Sequence, residues 1–149
     1  MKMNNKVEEK EALTLIGYRV VCDGEDYIVE IPKAAEKLQR RFPEAAFQVG
    51  AFIPGECEEG KDGYWIGVPL GQDITIPEGL DHLHIEKQTY AITTYEGAND
   101  GIREAYASLH DWMEREGYPR NLEAWHVEVY HSWQDKDQLY MELWETVRT

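Results

Sequence analysis

Two stretches of this chain carry the same order of patterns, and that order limits the fold more than any composition figure does. Residues 12–21 (ALTLIGYRVV) are rich in strand-forming residues. A helix follows. Pro32 is placed in its first turn, Ala34, Ala35, Leu38 and Phe42 form a modest apolar stripe, and Pro43 ends it. Two strands come next, at 47–53 and 64–70, separated by a loop with three glycines and a proline (PGECEEGKDG). After a connector at 71–79 the order repeats. Residues 84–95 read as a strand, and Asn99 and Asp100 are candidate N-caps. A helix is expected over 101–116, with Ile102, Ala105, Leu109, Trp112 and Met113 facing inward and Gly117 capping its C-terminus. Strands at 125–132 and 140–147 close the chain.

Each half therefore reads strand–helix–strand–strand, a repeat of pattern with little repeat of residues. The expected fold is α+β: tandem βαββ modules forming antiparallel sheets, with two helices on one face and a ligand cleft on the other. The length fits one domain over residues 1–149, with halves at about 8–70 and 83–147 and a flexible start at 1–7. A concave junction between two units is a common place for small ligands to bind.

The formal net charge is −14, from 29 acidic against 15 basic residues. Phosphate contacts need clustered Lys and Arg, so direct nucleic-acid binding is not expected; the KLQRR run at 37–41 is too short to supply it. No apolar run is long enough to cross a bilayer, and MKMNNKVEEKEA has no secretory h-region, so the expected location is cytoplasmic. In that setting Cys22 and Cys57 are expected as free thiols. No metal or cofactor is expected: the five histidines lack a ligand spacing, and His126 and His131 differ by an odd number and point to opposite strand faces. Neither a Gly-x-Ser-x-Gly elbow nor a glycine-rich phosphate loop opens a helix.

The last strand, LYMELWETV, carries the main candidate site. Alternation places Tyr140, Glu142 and Trp144 on one face. Leu139, Met141, Leu143 and Val147 share the other, with Glu145 as its one charged member. A carboxylate between two large rings loses hydration and needs a partner. A lipophilic cation would supply the charge, and the rings would add cation–π attraction of roughly 0.5–2 kcal/mol each. On the strand alone, a solvated glutamate on an edge strand is the simpler account. Further candidates are Tyr130, with Glu128 beside it if that face is the cleft face, and Tyr64, or Trp65 if the register slips by one residue. Tyr18 and Tyr95 come from the first strand of each half.

The segments TYAITTYEG, IREAYASLHDWMEREGY, WHVEVY and MELWETV together resemble the GyrI-like, or effector-binding, domain, which occurs alone and fused to AraC-type and MerR-type regulators. The resemblance spans roughly residues 8–147. It implies tandem βαββ modules, binding of bulky, often cationic, lipophilic compounds between them, and a ligand-binding role for Glu142. Glu145-Thr146 stand where the family often has an apolar residue and proline, and Gln88-Thr89 replace a usual turn glycine. The resemblance implies three functions: a stand-alone binding or effector module, a hydrolase of cyclopropane-bearing alkylators, or a gyrase-inhibitor-like partner for another protein. The binding module is the primary expectation, and enzymatic activity is left open.

Overall fold

The computed structural model describes residues 4–55, 62–70, 76–135 and 137–149. Cys57 and most of the PGECEEGKDG loop lie outside them; Cys22 is a free, half-buried thiol. Among the described residues are eight strands and two α-helices: β1 (Lys6–Lys10), β2 (Leu13–Val20), α1 (Tyr27–Arg41), β3 (Gln48–Phe52), β4 (Tyr64–Pro69), β5 (Asp81–Ile85), β6 (Gln88–Gly97), α2 (Ile102–Glu116), β7 (His126–Ser132) and β8 (Leu139–Thr146). The strands form one antiparallel sheet in the order β1-β6-β8-β7-β3-β4-β2-β5.

That order makes each half five elements long, not four. The leading strand of each half pairs with the other half: β1 with β6, and β5 with β2. The sequence placed a flexible start where β1 lies. The open backbone edge of β6 supplies the pairing that so polar a segment lacks alone. Lys6 and Lys10 both reach Glu8, at 3.1 and 2.8 Å, and Val7 packs against the α2 cluster. The single strand expected at 84–95 is divided at Glu86 and Lys87, because its two parts belong to opposite ends of the sheet.

Linker lengths then dictate the sheet's shape. Six strand steps separate β5 from β6 in the sheet order, about 29 Å if the sheet were flat. Only Glu86 and Lys87 join them, a reach of about 11 Å. Glu11 and Ala12 impose the same limit between β1 and β2. The sheet must curl until its ends approach each other. At this seam the Lys87 amine lies 3.3 Å from Glu9 and 3.8 Å from Glu11.

The curl gives the sheet an inner and an outer face. The inner face is packed by Leu15, Val49, Ala51, Trp65, Ile85, Tyr90, Ile92, Val127 and Val129, with no helix residue among them. Both helices lie on the outer face. α1 packs Ala35 and Leu38 onto Ile16, Tyr64, Ile66 and Val68, and α2 packs Ala105, Leu109 and Met113 onto Ala91, Met141 and Leu143. The periodicity of α2 was legible, and Gly117 ends it with a positive φ of 82°.

Two helix details differ from expectation. Pro32 lies inside α1 and not in its first turn. The carbonyl it leaves unpaired belongs to Ile28, on an exposed stretch where water can take it. Asn99 and Asp100 form a short 3-10 turn before α2, and neither side chain caps the helix. The Tyr95 hydroxyl ties that turn instead, donating to the Ala98 carbonyl at 2.5 Å.

Candidate functional site

The strand pairs that join the two halves define the molecule's centre. Gly50 of β3 faces Glu128 of β7 across the junction. Ile66 pairs with Gly50 in one half, and Leu143 pairs with Glu128 in the other. Ile66 is thus the counterpart of Leu143, and Trp65 of Glu142. The one-residue slip weighed from the sequence is the register the fold adopts.

This register sorts the sequence candidates onto two faces. Glu142, Tyr140, Trp144 and Trp65 share the inner face. Tyr130, Tyr64, Tyr18 and Tyr95 lie on the outer, helix-bearing face, so Tyr130 and Glu128 do not join a ring around Glu142. Each outer candidate except Tyr64 and Tyr130 has a local structural role. Tyr95 ties the turn before α2, and Tyr18 lies under the Lys37 amine at 4.7 Å.

Glu142 sits at the rim of the inner face with 23% of its side chain exposed. It accepts from the Trp144 indole at 3.1 Å and contacts His131 Nε2 at 2.6 Å. Tyr140 stacks on His131 at 5.0 Å and is itself exposed. Trp65 is core on the same face. Trp144 packs 5.1 Å from Tyr90, with the Lys10 amine over its ring. The chain's own His131 thus occupies the partner position beside Glu142.

Glu128, only 7% exposed, is more enclosed than Glu142. It lies on the central pair of strands, where α1 and α2 part. Three tyrosines from three elements converge on it. Tyr64 of β4 and Tyr130 of β7 donate to Oε1, the latter at 2.9 Å, and Tyr106 of α2 donates to Oε2 at 2.5 Å. The Tyr64 and Tyr130 oxygens are 2.7 Å apart. Gly50 is what admits Tyr64: a Cβ there would lie 1.9 Å from its hydroxyl oxygen.

The electrostatics follow from burial. Desolvation first, and the adjacent Glu128 charge second, push all three phenols well above their ordinary range. They remain protonated donors over the whole neutral range. Hydrogen bonds to a charged acceptor contribute about 1.5–3 kcal/mol each. Three of them offset a burial cost of several kcal/mol for the ion. Yet no basic side chain among the described residues pairs with Glu128. The nearby basic side chains are committed elsewhere: His126, two residues away on β7, contacts Glu145, as do His110 and Arg120.

Sequence reasoning ranked Glu128 behind Glu142 and missed Tyr106. From the sequence, Glu128 entered only as a second carboxylate beside Tyr130, on the condition that their face of the strand was the cleft face. Tyr106 flanks the apolar stripe of α2, and only the helix's placement beside β7 gives its hydroxyl a role. Among the described residues no group of three His, Cys, Asp or Glu side chains is arranged to hold a metal ion, and no helix is long and apolar enough to cross a membrane.

A curled eight-stranded sheet with two outer helices, and a tyrosine-held carboxylate where the helices part, defines a two-module α+β domain built around a polar centre. Residues 3–148 match the GyrI-like small molecule binding domain, and this chain belongs to that family. No curated protein matches the chain. Among solved structures, it resembles SAV2435 bound to tetraphenylphosphonium, at TM-score 0.69 and 16% identity over 97% of this chain and 94% of the other. The C-terminal domain of EcmrR aligns at TM-score 0.69 and 21% identity, over 100% and 99% of the two chains. A hydrolase encoded by lin2189 from Listeria innocua aligns at TM-score 0.61 and 12% identity, over 97% and 91%.

Proposed function

We propose that this domain binds bulky lipophilic cations in a cleft that opens between α1 and α2, with Glu128 as the counter-charge and Tyr64, Tyr106 and Tyr130 as its aromatic lining. One observation carries this reading: a carboxylate buried to 7% exposure, held by three hydroxyls and paired with no cation among the described residues. A charge in that position is stabilised further by any cation that displaces water from beside it. The neighbouring rings suit a delocalised or quaternary cation, because each ring face adds attraction. The tetraphenylphosphonium bound to SAV2435 is a ligand of that chemistry. The formal charge of −14 adds long-range attraction for cations.

Glu142 is the alternative counter-charge. Its prior engagement with His131 and Trp144 weighs against it. Titrating the protein with tetraphenylphosphonium in a calorimeter tests the reading. Saturable binding that the neutral analogue triphenylphosphine oxide does not reproduce supports it; equal affinity for the two compounds removes the role of charge.

Hydrolysis is a second reading of the same cleft. A carboxylate can accept a proton from water while an adjacent phenol donates one to a leaving atom, and Glu128 with Tyr106 offers that pair. The lin2189 protein is described as a hydrolase. Incubation with a cyclopropane-bearing alkylator would give ring-opened product at a rate that falls in Glu128→Gln. Absence of turnover leaves the binding module alone.

A further inference from the structure

One polar cluster outside the proposed site is as deeply buried as Glu128 itself. Glu145 of β8 is 2% exposed and His126 of β7 is fully buried. One oxygen of Glu145 meets His110 Nε2 of α2 at 2.6 Å. The other lies 2.6 Å from His126 Nδ1 and 3.3 Å from Arg120 Nε, which follows α2 in the chain. The remaining His126 nitrogen lies 2.8 Å from the Asn121 carbonyl, which can only accept, so that nitrogen carries a proton. A single carboxylate therefore joins a helix, a loop and the central strand β7.

Its place relative to the cleft is what matters. His126 and Glu128 are two residues apart on β7 and share the outer face. His110 and Tyr106 are four residues apart on α2, hence one turn apart on one face, with rings 5.9 Å apart. The Glu145 anchor on His110 and the Tyr106 bond to Glu128 thus connect the same helix to the same pair of strands, one turn from each other. Apolar packing of Leu109 and Met113 holds α2 against the sheet but tolerates small slides. Two directional polar contacts, His110 to the buried Glu145 and Tyr106 to Glu128, fix its height.

We propose that Glu145 is a positioning residue for the cleft: through His110 it sets α2 at the height where Tyr106 reaches Glu128. The consequence for ligand binding rests on the function proposed above; the placement of Tyr106 does not. Loss of the anchor lets α2 shift along its apolar contacts, Tyr106 withdraws, and Glu128 loses one of its three donors. Glu145 also retains His126 and Arg120, which leaves the Glu128 charge available to a ligand.

The test labels the tyrosine ring carbons for NMR and follows each phenol through an alkaline titration, the signals being assigned by Tyr→Phe variants. Glu145→Gln disturbs the contacts to the buried His126 and to Arg120 as well as to His110, and burdens the whole fold. His110→Ala cuts only the link to α2, at a half-exposed side chain, and serves as the second variant. In His110→Ala, Tyr106 alone is expected to ionise about one pH unit or more below its wild-type value, with Tyr64 and Tyr130 unmoved. Tetraphenylphosphonium affinity is expected to fall about tenfold. If the three phenols move together, the cluster is only structural and the positioning role fails. If none moves, Tyr106 is placed by packing alone and the proposal is wrong. If the wild-type protein binds no cation, the proposed function fails, while the Tyr106 titration still decides the inference.

Discussion

Replacing Glu128 by Gln tests the central charge with little change in shape. Its carboxylate accepts three hydroxyls, and a Gln amide can satisfy the same hydroxyls, because each can turn from donor to acceptor. Losing charged hydrogen bonds costs about 1.5–3 kcal/mol apiece. Relief from burying an ion returns several kcal/mol. The two oppose each other, so stability should change by no more than about 2 kcal/mol, in either direction. Binding should respond very differently. A cation whose centre lies about 6 Å from the carboxylate, at an effective dielectric of about 20, interacts by about 3 kcal/mol, or roughly a hundredfold in Kd. Calorimetric titration with tetraphenylphosphonium, run beside urea unfolding of the same samples, separates the two effects. Glu142→Gln is the control, and its affinity should stay within about threefold of wild type. Wild-type affinity in Glu128→Gln would refute the assignment. A hundredfold loss in Glu142→Gln would move the site to the inner face.

Gly50→Ala places a methyl where the Tyr64 hydroxyl now lies, 1.9 Å away. Overpacking of this kind should cost about 1–3 kcal/mol and weaken cation binding; a thermal melt and a titration together check it. The Glu145 carboxyl is held well below the usual carboxylate range by His110, His126 and Arg120, which overcome the opposing effect of burial. A depressed folded-state value means its contribution is present above the unfolded value of about 4.3 and is lost as the pH falls below it. Urea midpoints should therefore drop between pH 5 and pH 3 more steeply in wild type than in Glu145→Gln, and parallel drops would contradict this. Leu109→Ala, at a fully buried position of α2, should destabilise by about 2–5 kcal/mol in urea unfolding.

Most individual elements were legible because their signals are local. The alternation in LYMELWETV, the helical spacing from Ile102 to Met113 and the glycine after α2 each act within a few residues. The misread segments, β1 and β5, are strands whose partners belong to the other half of the chain. Lys6–Lys10 has no apolar pattern of its own, and its pairing edge lies 78 to 86 positions away on β6. Tyr140, Glu142 and Trp144 were correctly placed on one face by the same local rule. That rule gives the faces of a single strand but not which side of the finished sheet each face becomes.

The sequence by itself determined the two-module α+β plan, the core faces of its helices and closing strand, and the net negative charge. Only the tertiary structure decided where the enclosed charge lies. Two-residue links curl the sheet, Gly50 admits Tyr64, and α2 brings Tyr106 across to Glu128, whereas Glu142 meets its own histidine. Burial and counter-charge belong to the assembly of distant segments in space, and no run of neighbouring residues encodes them.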